Sequence, residues 1–340
     1  MISAARFPDR PAAAWLVALA VLAGCAPVGE HMTVTGGPSP IPTAQDSSAP
    51  AVGPLATTVA GLGARVLRLG DDAAPIDVAS AFGSIWTANH HDDTVSRIDP
   101  ATMMEIARIK AGRGPGWFVV TGDALWVTNQ NGRGLTRIDP ATNSVTGSAG
   151  EYAPCWAPVA AFGSIWQPSC DAGQIMRIDP ETQKVSYIGA DGHLMLMLTG
   201  GELVGAGPDD LARLDPVTEK WRPIAPLDGA PIGTDGDTVW ISGGPRVDDA
   251  NPEDGTEVAR VSPTDGTVLA KLPIAGAALV RAAGYHAWVV QANGVVEVDL
   301  ETNAVLRTIT IPGSILVART AAGALWVTSF DASELWRITP

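Results

Sequence analysis

From about residue 64 onward, hydrophobic and polar positions follow one recurring order. A short apolar run is followed by a two-residue turn and then by a second apolar run that usually holds a tryptophan. A polar loop, a five-residue alternating stretch and an Asp-Pro turn complete the unit. Arg97-Ile98-Asp99-Pro100, Arg137-Ile138-Asp139-Pro140 and Arg177-Ile178-Asp179-Pro180 stand 40 residues apart. Arg213-Leu214-Asp215-Pro216, Arg260-Val261-Ser262-Pro263, Glu297-Val298-Asp299-Leu300 and Arg337-Ile338-Thr339-Pro340 continue the series to seven copies. Ahead of them stand Trp86, Trp126, Trp166, Val204, Trp240, Trp288 and Trp326. In the second unit the pattern predicts strands over Trp117–Thr121, Ala124–Thr128 and Leu135–Asp139, with a fourth beginning near Val145. Gly122-Asp123 is a two-residue hairpin turn, because glycine adopts positive φ at little cost. Asp-Pro-x-Thr is another turn, with the Asp side chain capping it and Pro presetting φ. Four short strands per repeat of about 40 residues mark a propeller blade.

The expected fold is therefore all-β: a seven-bladed β-propeller of four-stranded blades over residues 64–340. The seventh unit ends after its third strand, and an unassigned strand, Arg65–Leu69, precedes the first. That N-terminal strand is expected to complete the last blade and to remove an exposed sheet edge.

Residues 1–24 carry Arg6 and Arg10 and then an apolar run from Pro11 to Gly24. Fourteen helical residues rise about 21 Å, short of a ~30 Å hydrocarbon core, so this reads as an export signal. Leu22-Ala23-Gly24-Cys25 resembles a bacterial lipobox, which implies cleavage and lipidation at Cys25, anchorage to a bacterial membrane and an extracytoplasmic location. Residues 25–63 are rich in Pro, Ser, Thr and Ala and read as a tether.

The repeat G-x-[IL]-W-V-x-N followed by R-I-D-P-x-T resembles the YVTN-type propellers, the superfamily that includes virginiamycin B lyase. The resemblance covers residues 66–340. It implies the fold, and it admits two functions. One is a non-enzymatic module that binds a small molecule, a glycan or an envelope protein through its top-face loops. The other is a metal-dependent lyase or lactonase-type hydrolase acting at the channel mouth; the catalytic pattern of the lyases maps onto no positions here.

The net charge of −14 becomes one unit more acidic once residues 1–24 are removed. Such a chain repels phosphate backbones, which argues against nucleic acid as a partner. No feature calls for a partner subunit, so a monomer is expected.

Of 11 tryptophans, six recur in register and are expected to pack between blades. The recurring arginines and aspartates are expected to serve the blades as packed stems and turn caps. Function is sought where the repeat breaks. Loops leading into each first strand, and those between second and third strands, share the top face. There, Asn89-His90-His91-Asp92-Asp93, Trp117, Asn129-Gln130-Asn131 and Trp156 could bind a polar ligand, and the His-His-Asp-Asp run could hold a divalent metal. Arg281 and Arg319 replace small or apolar residues in neighbouring blades and could hold an anion, or pair with an internal acid such as Asp77. The acidic loop of residues 243–257 could take Ca²⁺ or simply be solvated.

Cys155 and Cys170 remain as a pair once Cys25 is lipidated. With Phe162-Gly163 as the turn, Ala161 faces Ser164 and Ala160 faces Ile165. Continuing that register sets Cys155 opposite Cys170, near bridging distance. A disulfide is expected.

Overall fold

A computed structural model describes residues 57–59, 63–243 and 255–339. The export signal, Cys25, most of the tether and most of the acidic loop of residues 243–257 lie outside the described residues. Seven antiparallel sheets form a ring, each of four strands apart from the last. Blade one comprises Pro75–Ala81, Ser84–Asn89, Thr94–Ile98 and Glu105–Lys110 (strands A to D, hub to rim). Blade two comprises Pro115–Thr121, Ala124–Asn129, Leu135–Asp139 and Ser144–Ala149.

Burial peaks at the second strand of each blade and falls toward the rim. The second strands of blades one, two, three and seven are buried at every position, whereas the outer strands alternate with solvent. This explains the sequence pattern: strand B is covered on both faces by neighbouring blades, and strand D on one face only. Trp86, Trp126, Trp166, Trp240 and Trp326 are 0% exposed. The recurring tryptophans are therefore inter-blade packing. Several A–B turns hold positive φ at both residues, as at Phe82-Gly83 and Phe162-Gly163, the geometry that matches strand twist in a two-residue hairpin.

The Asp-Pro turns, and the Asp-Leu turn at Asp299, are capped as expected. Asp99 Oδ1 accepts from the Ala101 and Thr102 amides at 3.0 and 2.7 Å, and Asp139, Asp179, Asp215 and Asp299 make equivalent bonds. In blades one, three and five the arginine then reaches the turn of the next blade. Arg177 Nη1 donates to the Pro216 carbonyl and to Glu219, and Arg260 Nη1 to the Leu300 carbonyl and Asn303. The two halves of the R-I-D-P motif thus touch each other across blade boundaries.

Closure follows the expected scheme. Ala64–Arg68 pairs antiparallel with Glu334–Ile338, the third strand of blade seven. Arg65, opposite Arg337, donates to the Ala101 and Thr102 carbonyls in the blade-one turn. The clasp strand thereby supplies the latch between blades seven and one. Thr57–Val59 adds a fifth strand outside it, within the stretch read as tether. At the hub, Thr328 Oγ1 donates to the Ile76 carbonyl at 3.1 Å.

Blade three adopts the expected register, Ala161 opposite Ser164 and Ala160 opposite Ile165. Cys155 and Cys170 form a disulfide with Cα atoms 5.8 Å apart.

Candidate functional site

The first strands of the blades line the channel. Their sequences are mostly apolar, so a charged or aromatic residue here is an exception to the repeat. Four exceptions come together: Asp77, Trp117, Arg281 and Arg319, from blades one, two, six and seven. Trp117 is 7% exposed and belongs to an apolar cluster with Leu316 and Val317, against which Ala157 and Leu279 pack. The Arg281 guanidinium carbon lies 5.8 Å from the centre of a Trp117 ring, within cation–π range. Arg319 Nη2 lies 3.8 Å from Asp77 Oδ1, so the internal acid and the two arginines share one site. Burial, reinforced by nearby Arg319 and opposed by Asp77, lowers the Arg281 pKa to about 10.

Beside this group lies the blade-two top loop. Gln130 packs on Gly116, where an added Cβ would stand 2.6 Å from the Gln130 amide carbon. Both polar atoms of that amide are buried without a partner. Asn131 Nδ2 approaches His90 Nε2 at 3.1 Å. The ring is buried in this loop, where the backbone of Pro115 and Gly114 also lies against it. Burial, followed by the nearness of His91, lowers the His90 pKa.

The remaining candidates diverge. His91 Nδ1 meets Asp72 at 2.8 Å, and its ring packs edge-on against Phe330. Asp92 faces Arg108 at 3.3 Å, and Asp93 accepts from the Gly114 amide. The run therefore fans outward. Among the described residues, no group of three or more His, Cys, Asp or Glu side chains is placed to hold a metal ion. Asn129 turns its amide onto its own loop, donating to the Arg133 carbonyl and accepting from Thr136, much as Asn89 binds Thr94 and Ser96 in blade one. Trp156 sits at the entrance of blade three, where its carbonyl accepts from Gln167 Nε2. Gln130, named with its loop in the sequence, and Gln167, which was not, each leave a buried amide oxygen without a partner.

Residues 51–153 match the model of a family described as YNCE-like beta-propeller. The chain is similar to that family over its first two blades. No curated protein matches the chain. Among solved structures, a streptogramin B lyase is 13% identical with a TM-score of 0.66, covering 83% of this chain and 99% of that one. Hydrazine synthase of Kuenenia stuttgartiensis is 12% identical with a TM-score of 0.66, covering 80% and 97%. BamB from Moraxella catarrhalis is 14% identical with a TM-score of 0.53, covering 84% and 98%. At these identities the likeness is one of fold, which hosts unrelated functions.

Proposed function

We propose that this propeller is an extracytoplasmic binding module, anchored to a bacterial membrane by lipid on Cys25, that receives a small polar ligand or glycan, or an envelope protein, at its top-face channel mouth. One observation carries the reading: Trp117 and Arg319 each leave a buried N–H unpaired where Arg281 lies over the Trp117 ring, and the amide of Gln130 is unpaired as well. Such a set recognises acceptors. It contains no nucleophile held by a base, the arrangement that covalent catalysis needs. The Cys155–Cys170 disulfide supports an oxidising compartment, as does the lipobox-like run.

The lyase or hydrolase alternative draws its support from the fold likeness alone. Its divalent ion needs converging donors, and the His90–Asp93 run spreads them apart. A glycan and metabolite screen on wild type and Trp117→Ala tests the binding reading. Hits that weaken tenfold or more in Trp117→Ala support it; binding indifferent to Trp117, Arg281 and His90 overturns it.

A further inference from the structure

The channel holds more donors than acceptors. Trp117 Nε1 and Arg319 Nε are buried with no partner. Arg281 has one hydrogen bond, from Nη1 to the Val280 carbonyl at 3.1 Å. Among the described residues, against three N–H-bearing side chains stands one carboxylate, Asp77, 1% exposed. Asp77 is already engaged: Oδ1 accepts from the Val78 amide at 2.8 Å and Oδ2 from the Phe118 amide at 3.0 Å. Its contact with Arg319, at 3.8 Å, is long for a hydrogen bond. The positions equivalent to Arg281 and Arg319 in the other five blades are Ala79, Val119, Val159, Met197 and Gly233, which add no charge. Two guanidinium groups thus face one carboxylate; Arg319 is partly exposed, but its Nε and the Trp117 Nε1 are buried without a partner, which is costly.

We propose that Arg281 and Arg319 form an anion site in the channel, closed over by Trp117, that takes a compact carboxylate group. This rests on the binding reading above and names its ligand chemistry. A carboxylate supplies what the channel lacks: one negative charge and up to four acceptor positions in a plane. Guanidinium forks match that geometry. The face of Trp117 holds Arg281 from the other side, so the guanidinium edge is left for the ligand. Compactness follows from the apolar packing of Trp117 with Leu316 and Val317 beside the two arginines.

Two sources supply such a carboxylate: a free small acid, or a larger ligand that carries it in. Thermal unfolding of the full chain separates these sources. Sodium acetate is titrated at fixed ionic strength against sodium chloride, in parallel with hippurate as a body-bearing carboxylate. The expected result is a saturable rise in Tm of about 2–5 °C, weakened at least tenfold in half-saturation by Arg319→Met and abolished by Arg281→Met. Arg319→Lys keeps the charge without the fork and is expected to fall between. Should Arg281→Met fail to fold, the two Arg319 variants still decide. Tighter half-saturation by acetate assigns the site to a free acid, and tighter half-saturation by hippurate to a larger ligand; either supports the proposal. A linear rise, an equal rise with chloride alone, or a saturable rise untouched by the Arg319 variants overturns it. Loss of the acetate response while a screening hit still depends on Trp117 sinks this inference and leaves the binding reading standing. A saturable, Arg319-dependent acetate response, with screening hits indifferent to Trp117, Arg281 and His90, keeps the anion site and overturns the binding reading for those hits.

Discussion

Arg97 of blade one donates through Nη1 to the carbonyl of Pro140 in blade two, at 2.6 Å. The same guanidinium meets Asn143 Oδ1 at 2.8 Å and lies over the Trp86 ring, 5.0 Å from its centre. One side chain therefore covers the buried tryptophan of its own blade and latches the turn of the next. Arg137 departs from this pattern. It bonds Thr146 and Asp123 within its own blade, and Asp123 is 87% exposed. Arg97→Met should cost about 1.5–3 kcal/mol, the range for hydrogen bonds to a charged group. Arg137→Met should cost under about 1 kcal/mol, as for an exposed pair. Urea unfolding of the two variants checks the order; equal losses would show that the cross-blade latch adds nothing.

The clasp makes a second prediction. Deleting residues 26–56 should leave stability nearly unchanged. Deleting 26–70 removes the buried side chains of Val66, Leu67 and Leu69 together with the Arg65 latch. At roughly 1.5–3 kcal/mol per buried aliphatic side chain, the loss is on the order of 5–9 kcal/mol, comparable with the whole stability of many domains. Matching melting curves for the two truncations would refute closure by this strand.

The fold was legible because its determinants are local and recur. The R-I-D-P turn marks each third strand, and the unpaired third strand at the C-terminus pointed to Arg65–Leu69. The hairpin register through Phe162-Gly163 likewise pointed to Cys155 and Cys170, which are bonded although the ladder itself ends at Val159 and Trp166. The site was legible only in part. Arg281 and Arg319 stood out as charges in apolar strands, and Trp117 as an aromatic off the repeat. Their union could not be read, because blades two and six face each other only once the ring is closed. Asn129 looked like a ligand group from its loop position. Its role in tying down that loop depends on backbone carbonyls, which leave no trace in side-chain chemistry. Arg65 acting as a latch was hidden for a related reason: it belongs to no repeat until the clasp strand pairs.

Removing the disulfide should destabilise without unfolding. A bridge closing 15 residues contributes about 3 kcal/mol. Cys155→Ala with Cys170→Ala should lower stability by that order. Intact mass before and after reduction, with alkylation, checks the bond itself: two open thiols in unreduced protein would show that it does not form.

Acid should weaken the protein in two windows. The His90 pKa lies below its ordinary value of 6.5 because of burial, then of His91. Below about pH 6.5 the unfolded chain therefore binds a proton that the folded chain refuses, and stability falls as pH drops. The turn aspartates Asp99, Asp139, Asp179, Asp215 and Asp299 are held below 3.8 by hydrogen bonds from their turns. Their contribution is present above pH 3.8 and is lost as pH falls through their folded values. Denaturant unfolding at pH 8, 6.5 and 5 should show the first loss, and His90→Gln should flatten it. An unchanged slope in His90→Gln would remove His90 as its source.

The most direct test of the binding account is native mass spectrometry of the protein with its strongest screening ligand, followed over hours. The account predicts a 1:1 complex of unchanged ligand mass, weakened at least tenfold by Trp117→Ala and unaffected by Val217→Ala, an exposed substitution in the blade-four Asp-Pro turn. Consumption of the ligand, or a complex indifferent to Trp117, would contradict it.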